Sequence, residues 1–284
     1  MKSAMNVQDK PTMAAKFLAE YSMEQTIRKY TRKTAGQGIS YLLDHEYGEI
    51  YLESIERFIP QSRQRTGIRL WEFGCGGGMN LLHLVSLLGR QGIKLDFACG
   101  TDFSAPLIAA ARVEANEYTA EDQINRVQFT VASNEDLVEE GAKGLGVNKD
   151  ELLGSFDLVF GVNTIRFCHR LNNVDRCVED IWGLLREGGV CIIIDMNCRF
   201  PAFRSRLREW PKKSDESTLL PTLDEYARPF SSAGFEILRK ENFCWIPHSA
   251  GPALTHCCRL LSPFLSRMAS SRAMRSLVIA RKHA

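Results

Sequence analysis

The feature that most restricts this chain is a short apolar strand that runs straight into glycines. Residues 68–73 (Ile-Arg-Leu-Trp-Glu-Phe) lead into Gly74-Cys75-Gly76-Gly77-Gly78, and an apolar-periodic helix follows at once over 78–88. Glycines at alternate positions let the main chain turn sharply, and they remove the Cβ atoms that would hold a ligand off the backbone. Twenty-four residues after Gly78, a second predicted strand (94–101) ends beside Asp102. An acid at that place can accept hydrogen bonds from both hydroxyls of a ribose. The remaining pattern alternates. A helix is expected at 105–118, strands at 127–132 and 156–160, a helix at 174–185, a strand at 190–195, a helix at 222–232 and final strands at 235–246 and 275–281. Such alternation requires a parallel sheet with helices on both faces. The run Val190-Cys191-Ile192-Ile193-Ile194-Asp195 has no polar alternation and reads as a strand buried on both sides. Thr222 and Glu225 have capping-box spacing at the start of their helix.

The spacing within the loop discriminates between cofactors. A nicotinamide fingerprint is G-x-G-x-x-G, but the sixth residue from Gly74 is Met79. What stands here is E-x-G-x-G-x-G, from Glu72 to Gly78. Three further segments follow in order: Phe156-Asp157-Leu158-Val159-Phe160, Leu184-Leu185-Arg186-Glu187-Gly188-Gly189-Val190 and Ala233-Gly234-Phe235-Glu236. Together they resemble the successive motifs of the class I S-adenosylmethionine-dependent methyltransferases, small-molecule type. Glu187 stands where that family usually has proline. The resemblance spans roughly residues 68–284. It implies an α/β, Rossmann-like, seven-stranded and mostly parallel sheet with an antiparallel last strand, and S-adenosyl-L-methionine as cofactor.

Carried over residue by residue, the resemblance assigns Glu72 and the backbone of Gly74, Cys75, Gly76 and Gly78 to the methionine half of the cofactor. Asp102 takes the ribose hydroxyls and Phe103 packs on the adenine. The adenine amino group usually meets an acid, but the aligned residue is Ser133, so Ser133, Asn134 and Glu135 are all candidates. After the fourth motif strand, Asn163 is the candidate for the methionine end or the acceptor. His169 is the candidate base, because an unperturbed imidazole titrates near neutral pH. Arg166 is expected either to pair with an acid or to touch substrate. No metal-ligand spacing and no nucleophile elbow is present. Methyl transfer from a sulfonium needs chiefly positioning and exclusion of water, with a base only where the acceptor must lose a proton.

Two added regions bear on the acceptor. Residues 1–62 read as an N-terminal helical cap, with helical periodicity over 16–33 and 39–58 and a boundary at Pro60, ahead of a methyltransferase domain at 63–284. Tyr21, Tyr30, Tyr41, His45, Glu46 and Tyr47 give the cap the character of a lid. After the fifth strand, Arg199, Arg204, Arg206 and Arg208 could meet an anionic acceptor or form a solvated face. An insertion at 247–273 reads as an amphipathic helix interrupted near Pro263. Charge is concentrated there: residues 242–284 hold six Arg and Lys and no acid, leaving 30 basic and 34 acidic residues elsewhere. Packing on the protein is the plain reading of 253–275, and peripheral contact with an anionic membrane is the second.

The expected function is methyl transfer from S-adenosyl-L-methionine to an oxygen or nitrogen of a small-molecule, biosynthetic or lipid-linked acceptor. The alternatives are a nucleic-acid (RNA) methyltransferase and a non-catalytic binding module. A nucleic acid would need a wide basic surface, whereas the body is net acidic. It would also call for an N-P-P-Y-type tetrapeptide where this chain has Gly161-Val162-Asn163-Thr164. Nine cysteines with no C-x-x-C pair, no long apolar run and no leader-like N-terminus give a cytoplasmic expectation.

Overall fold

The computed structural model describes residues 18–31, 37–118, 121–201 and 220–283. Seven strands form one sheet: β1 (Ile68–Phe73), β2 (Leu95–Asp102), β3 (Val127–Val131), β4 (Phe156–Val162), β5 (Leu185–Met196), β6 (Glu236–Phe243) and β7 (Arg275–Arg281). Their order is β3-β2-β1-β4-β5-β7-β6. Strands β1 to β5 are parallel, and β7 lies antiparallel between β5 and β6. This is the expected mostly parallel sheet with a reversed last strand. The helices used below are α1 (Gly48–Phe58), α2 (Met79–Arg90), α3 (Ala105–Tyr118), α4 (Leu137–Leu145), α5 (Ile165–Leu171), α6 (Val174–Leu184), α7 (Leu223–Ser232) and α8 (Pro252–Ala269).

The sheet is buried on both faces. Val190, Ile192 and Ile194 of β5 enter one core cluster, and Cys191 and Ile193 enter the other. That is the period-2 consequence of a strand with apolar residues at every position. The first cluster is closed by α1, α2 and α3, the second by α4, α6 and α7. The buried Asp157 ties the amino ends of the strands together. It accepts from the Arg69 amide at 2.7 Å and from the Arg63 guanidinium at 3.1 Å, and Arg186 lies 2.6 Å away. Strand order reverses between β1 and β4, so a crevice opens at their carboxyl ends.

Two expectations need correction. The boundary at residue 62 does not divide the molecule into cap and body. Residues 37–58 run as a helical segment with a π-helical turn at Leu42–Tyr47. Leu42, Leu43, Tyr47, Tyr51 and Ile55 are buried in the same core as Leu70, Leu158 and Ile192, and the Tyr51 ring is 5.1 Å from that of Phe160. The sheet needs this helix as cover. The second correction concerns α8, which continues through Pro263 without a break. Pro263 is exposed, so water can take the carbonyl that its ring leaves unbonded. Arg204, Arg206 and Arg208 lie outside the described residues, as does part of the expected 16–33 helix.

Candidate cofactor and acceptor site

Gly74, Gly76 and Gly78 all have left-handed backbones, with φ of 61°, 55° and 79°. At Gly74 the requirement is also steric, since an added Cβ would stand 2.1 Å from the Thr164 hydroxyl oxygen. Asp102 locks the loop from the next strand. Its carboxylate accepts from the Gly76 amide at 2.9 Å and from the Ser104 amide at 2.9 Å. Burial pushes its pKa up to about 6, against the pull of those two amides. Glu72 is fully buried and accepts from the Leu81 amide at 3.0 Å and the Asn80 side chain at 3.2 Å. It fastens the first turn of α2 to β1, and burial raises its pKa well above the usual carboxylate range. Glu72 and Gly78 shape the loop from behind and do not line the cleft.

Two adjoining cavities occupy the crevice. One, of about 720 Å³ with its mouth included, is lined by Gly74, Cys75, Gly76, Asp102, Phe103 and Asn163, among others. The other, of about 660 Å³, is bordered by Ser133, Asn134, Glu135 and again Phe103. Tyr21, Phe103, Thr164 and Phe167 border both. Tyr21 is the hub, with its ring 5.8 Å from each of Tyr30, Phe103 and Phe167. The Ser104 hydroxyl donates to the Tyr21 carbonyl, which pins this stretch to the start of α3. The aromatic lid expected of the N-terminal segment is therefore built from Tyr21 and Tyr30, whereas Tyr47 lies deep on the cleft floor.

A family model described as a methyltransferase domain matches residues 71–191. The citrinin polyketide synthase of Monascus ruber is 24% identical over 156 residues, which is 55% of this chain and 5% of that protein. The chain thus spans a small fraction of the curated relatives it matches. Among solved structures, the CurJ carbon methyltransferase superposes with a TM-score of 0.56 at 15% identity, covering 95% of this chain and 61% of that one. Phosphoethanolamine N-methyltransferase 2 of Haemonchus contortus, solved in complex with S-adenosyl-L-methionine, gives 0.55 at 15% identity, covering 92% and 58%. Residues 71–191 thus match a methyltransferase domain, and the sheet around them has the fold of the class I methyltransferases.

Domains of this class use S-adenosyl-L-methionine as cofactor, and the crevice of this methyltransferase fits it in size and chemistry. Cavities of several hundred Å³ suit a cofactor of that size. The loop backbone is bare of Cβ atoms at Gly74 and Gly76. The Asp102 carboxylate is a buried acceptor, and Phe103 offers a half-exposed ring face to the second cavity. The sequence-assigned Cys75, Asn163, Ser133, Asn134 and Glu135 border the same space.

Beyond β4 the methyltransferase carries a polar group of residues that the sequence only partly disclosed. Asn163 sits at φ 57°, a left-handed conformation that asparagine tolerates. Its side-chain oxygen accepts from Arg275 at 2.7 Å, from the start of β7. Arg275 is buried against the Tyr47 hydroxyl, and that hydroxyl is 3.0 Å from His248 Nε2. His248 also lines the cleft. Burial, with Arg275 and Arg166 nearby, holds the His248 pKa well below its ordinary value, so the ring is neutral at pH 7. Sequence reasoning missed His248 because it lies 85 positions from Asn163 and in no motif. The weak signal available was a histidine in the turn between β6 and α8.

His169 is not in this site. Phe167 and Leu171, four apart on α5, face the cleft, and His169 points to the other side of the helix. Its ring stands 5.6 Å from Tyr226, in a separate hollow with Glu225 and Arg228. Arg166 resolves as an ion pair, 2.8 Å from the buried Asp195. Arg199 is exposed, with its amide donating to Asn197.

Proposed function

We propose that this protein transfers the methyl group of S-adenosyl-L-methionine to an oxygen, or to an activated carbon, of a small and largely apolar acceptor, and that His248 receives the acceptor proton. The observation that carries this reading is the neutral His248 facing the same cleft as Asp102 and the glycine loop. When bound, the cofactor supplies an activated methyl on a sulfonium. Asp102 and the Cβ-free backbone at Gly74 and Gly76 would hold and orient it, and Tyr21, Tyr30, Phe103 and Phe167 wall the cleft against water. The aromatic wall suits an acceptor with a flat apolar body. Where the acceptor must lose a proton, the basic ring nitrogen of His248 would take it. Tyr47, whose hydroxyl holds Nε2, orients the ring.

Similarity to a polyketide synthase and to a carbon methyltransferase supports carbon beside the oxygen and nitrogen expected from sequence. The narrow aromatic cleft disfavours the RNA alternative.

The test is methyl transfer from radiolabelled S-adenosyl-L-methionine into separated small-molecule and RNA fractions, with mass identification of the product. Label in the small-molecule fraction supports the proposal, and label confined to RNA overturns it. His248→Ala should lower turnover by about 10²–10⁴-fold, with cofactor affinity unchanged in calorimetry. Unchanged turnover would remove His248 from the chemistry.

A further inference from the structure

Helix α8 is amphipathic in the wrong direction for a helix that merely packs. Thr255 is buried, Cys258 packs on the core, Arg259 stacks over the Tyr41 ring at 4.6 Å, and Ser266 accepts from the Trp245 indole at 3.2 Å. The side turned to the protein is thus small and polar for the most part. The side turned to water carries Leu254, Leu260, Leu261, Phe264 and Met268, at 50%, 69%, 54%, 60% and 71% exposure. At 100° per residue these five fall within an arc of about 120°. A continuous apolar ridge of this size on a surface marks a contact site.

We infer that this ridge docks on the surface of an anionic lipid bilayer. Charge chooses the occupant. Residues 242–284 contain no acid, Arg267 borders the apolar arc and Arg272 follows the helix at once, while Arg259 is turned to Tyr41. A second copy meeting this face would bring arginines against arginines with no carboxylate from the segment to offset them. An anionic headgroup layer supplies the missing charge, and its acyl boundary accepts Leu, Phe and Met side chains without a complementary shape. A protein partner would need a groove matched to a single convex helix.

Location gives the contact a consequence. The turn before α8 carries His248, and the Gly38 amide donates to the Ala250 carbonyl at 3.0 Å. Ile39 and His248 both line the cleft. The docked helix therefore holds the cleft mouth at the membrane surface, where a lipid-soluble acceptor is concentrated. That consequence rests on the methyl-transfer reading; the docking itself does not.

Cosedimentation of the full chain with vesicles tests the docking. One vesicle set is pure phosphatidylcholine, and the other contains about one third phosphatidylserine. Wild-type protein should bind the anionic vesicles at least about tenfold more tightly than the neutral ones, and less tightly as salt rises. Leu261→Glu with Phe264→Glu should abolish that binding. Both residues are exposed, so the double variant keeps its melting temperature and its affinity for S-adenosyl-L-methionine. Equal vesicle binding by variant and wild type overturns the proposal. So does wild-type protein that ignores both vesicle types, whether the same substitutions then abolish self-association or binding to an acidic polypeptide.

Discussion

Asp102 is where sequence and geometry agree most closely, and it makes a quantitative expectation. Each of its oxygens already serves a backbone amide, and burial raises its pKa to about 6. An unfolded aspartate titrates near about 3.9. The ligand-free protein therefore carries a burial cost for this carboxylate above pH 6, relieved as the pH falls toward about 4. Cofactor affinity should move the opposite way, because ribose hydroxyls need the charged acceptor. Calorimetry should show affinity falling by up to about tenfold per pH unit below about 6, and Asp102→Ala should weaken binding by roughly 1–3 kcal/mol at pH 7. A pH-independent affinity, or an unaffected Asp102→Ala variant, would show that Asp102 does not hold the ribose. Gly74 makes a second case. Alanine there combines a left-handed backbone with a Cβ driven into Thr164, so Gly74→Ala should cost at least about 2 kcal/mol in urea unfolding.

At the scale of elements, the carboxyl end of β5 organises the acceptor side through one buried acid. Asp195 accepts from the Arg166 amide at 3.0 Å, from the Arg166 guanidinium at 2.8 Å and from the Met196 amide at 2.7 Å. It thereby pins the first turn of α5, whose Phe167 walls the cleft. Asp195→Ala strands the largely buried Arg166 without its partner. It should destabilise the fold by about 3–5 kcal/mol, measured by chemical denaturation. A loss below 1 kcal/mol would mean that the pair is solvated. Helix α5 also explains the misassignment of His169. A loop histidine after β4 is a reasonable base on paper, but one helical turn decides which side chains meet the ligand. Phe167 and Leu171 share a face that His169 cannot.

For the whole molecule, the question is where the separable part ends. Residues 37–58 close the sheet, whereas residues 18–31 lie on the cleft with Tyr21 and Tyr30. Removing residues 1–36 should leave a cooperatively unfolding protein with reduced cofactor affinity. Removing residues 1–62 uncovers Leu70, Leu158 and Ile192 and should leave no folded product. Equal stability of the two truncations, read by circular dichroism melts, would contradict a shared core. All nine cysteines are free thiols, six of them buried, so no crosslink compensates for lost packing. Among the described residues no helix is long and apolar enough to cross a membrane.

The sequence by itself determined the sheet and one half of the site. Period-2 burial in β5, the glycine spacing of 74–78 and the acid at 102 are local patterns. Local patterns survive translation into structure because neighbouring residues must share a strand, a turn or a helix face. The other half was decided only in three dimensions. Asn163, Arg275, Tyr47 and His248 come from four distant segments and meet because β7 inserts between β5 and β6 and the π-helical turn carries Tyr47 beneath the cleft. No spacing in the chain encodes that meeting. Helix α8 shows the same division: its apolar stripe was visible in the sequence, but whether the stripe faced the protein or the solvent depended on which side packed. The structure turned its Ser, Thr and Cys side inward, where Trp245 and Tyr41 hold it.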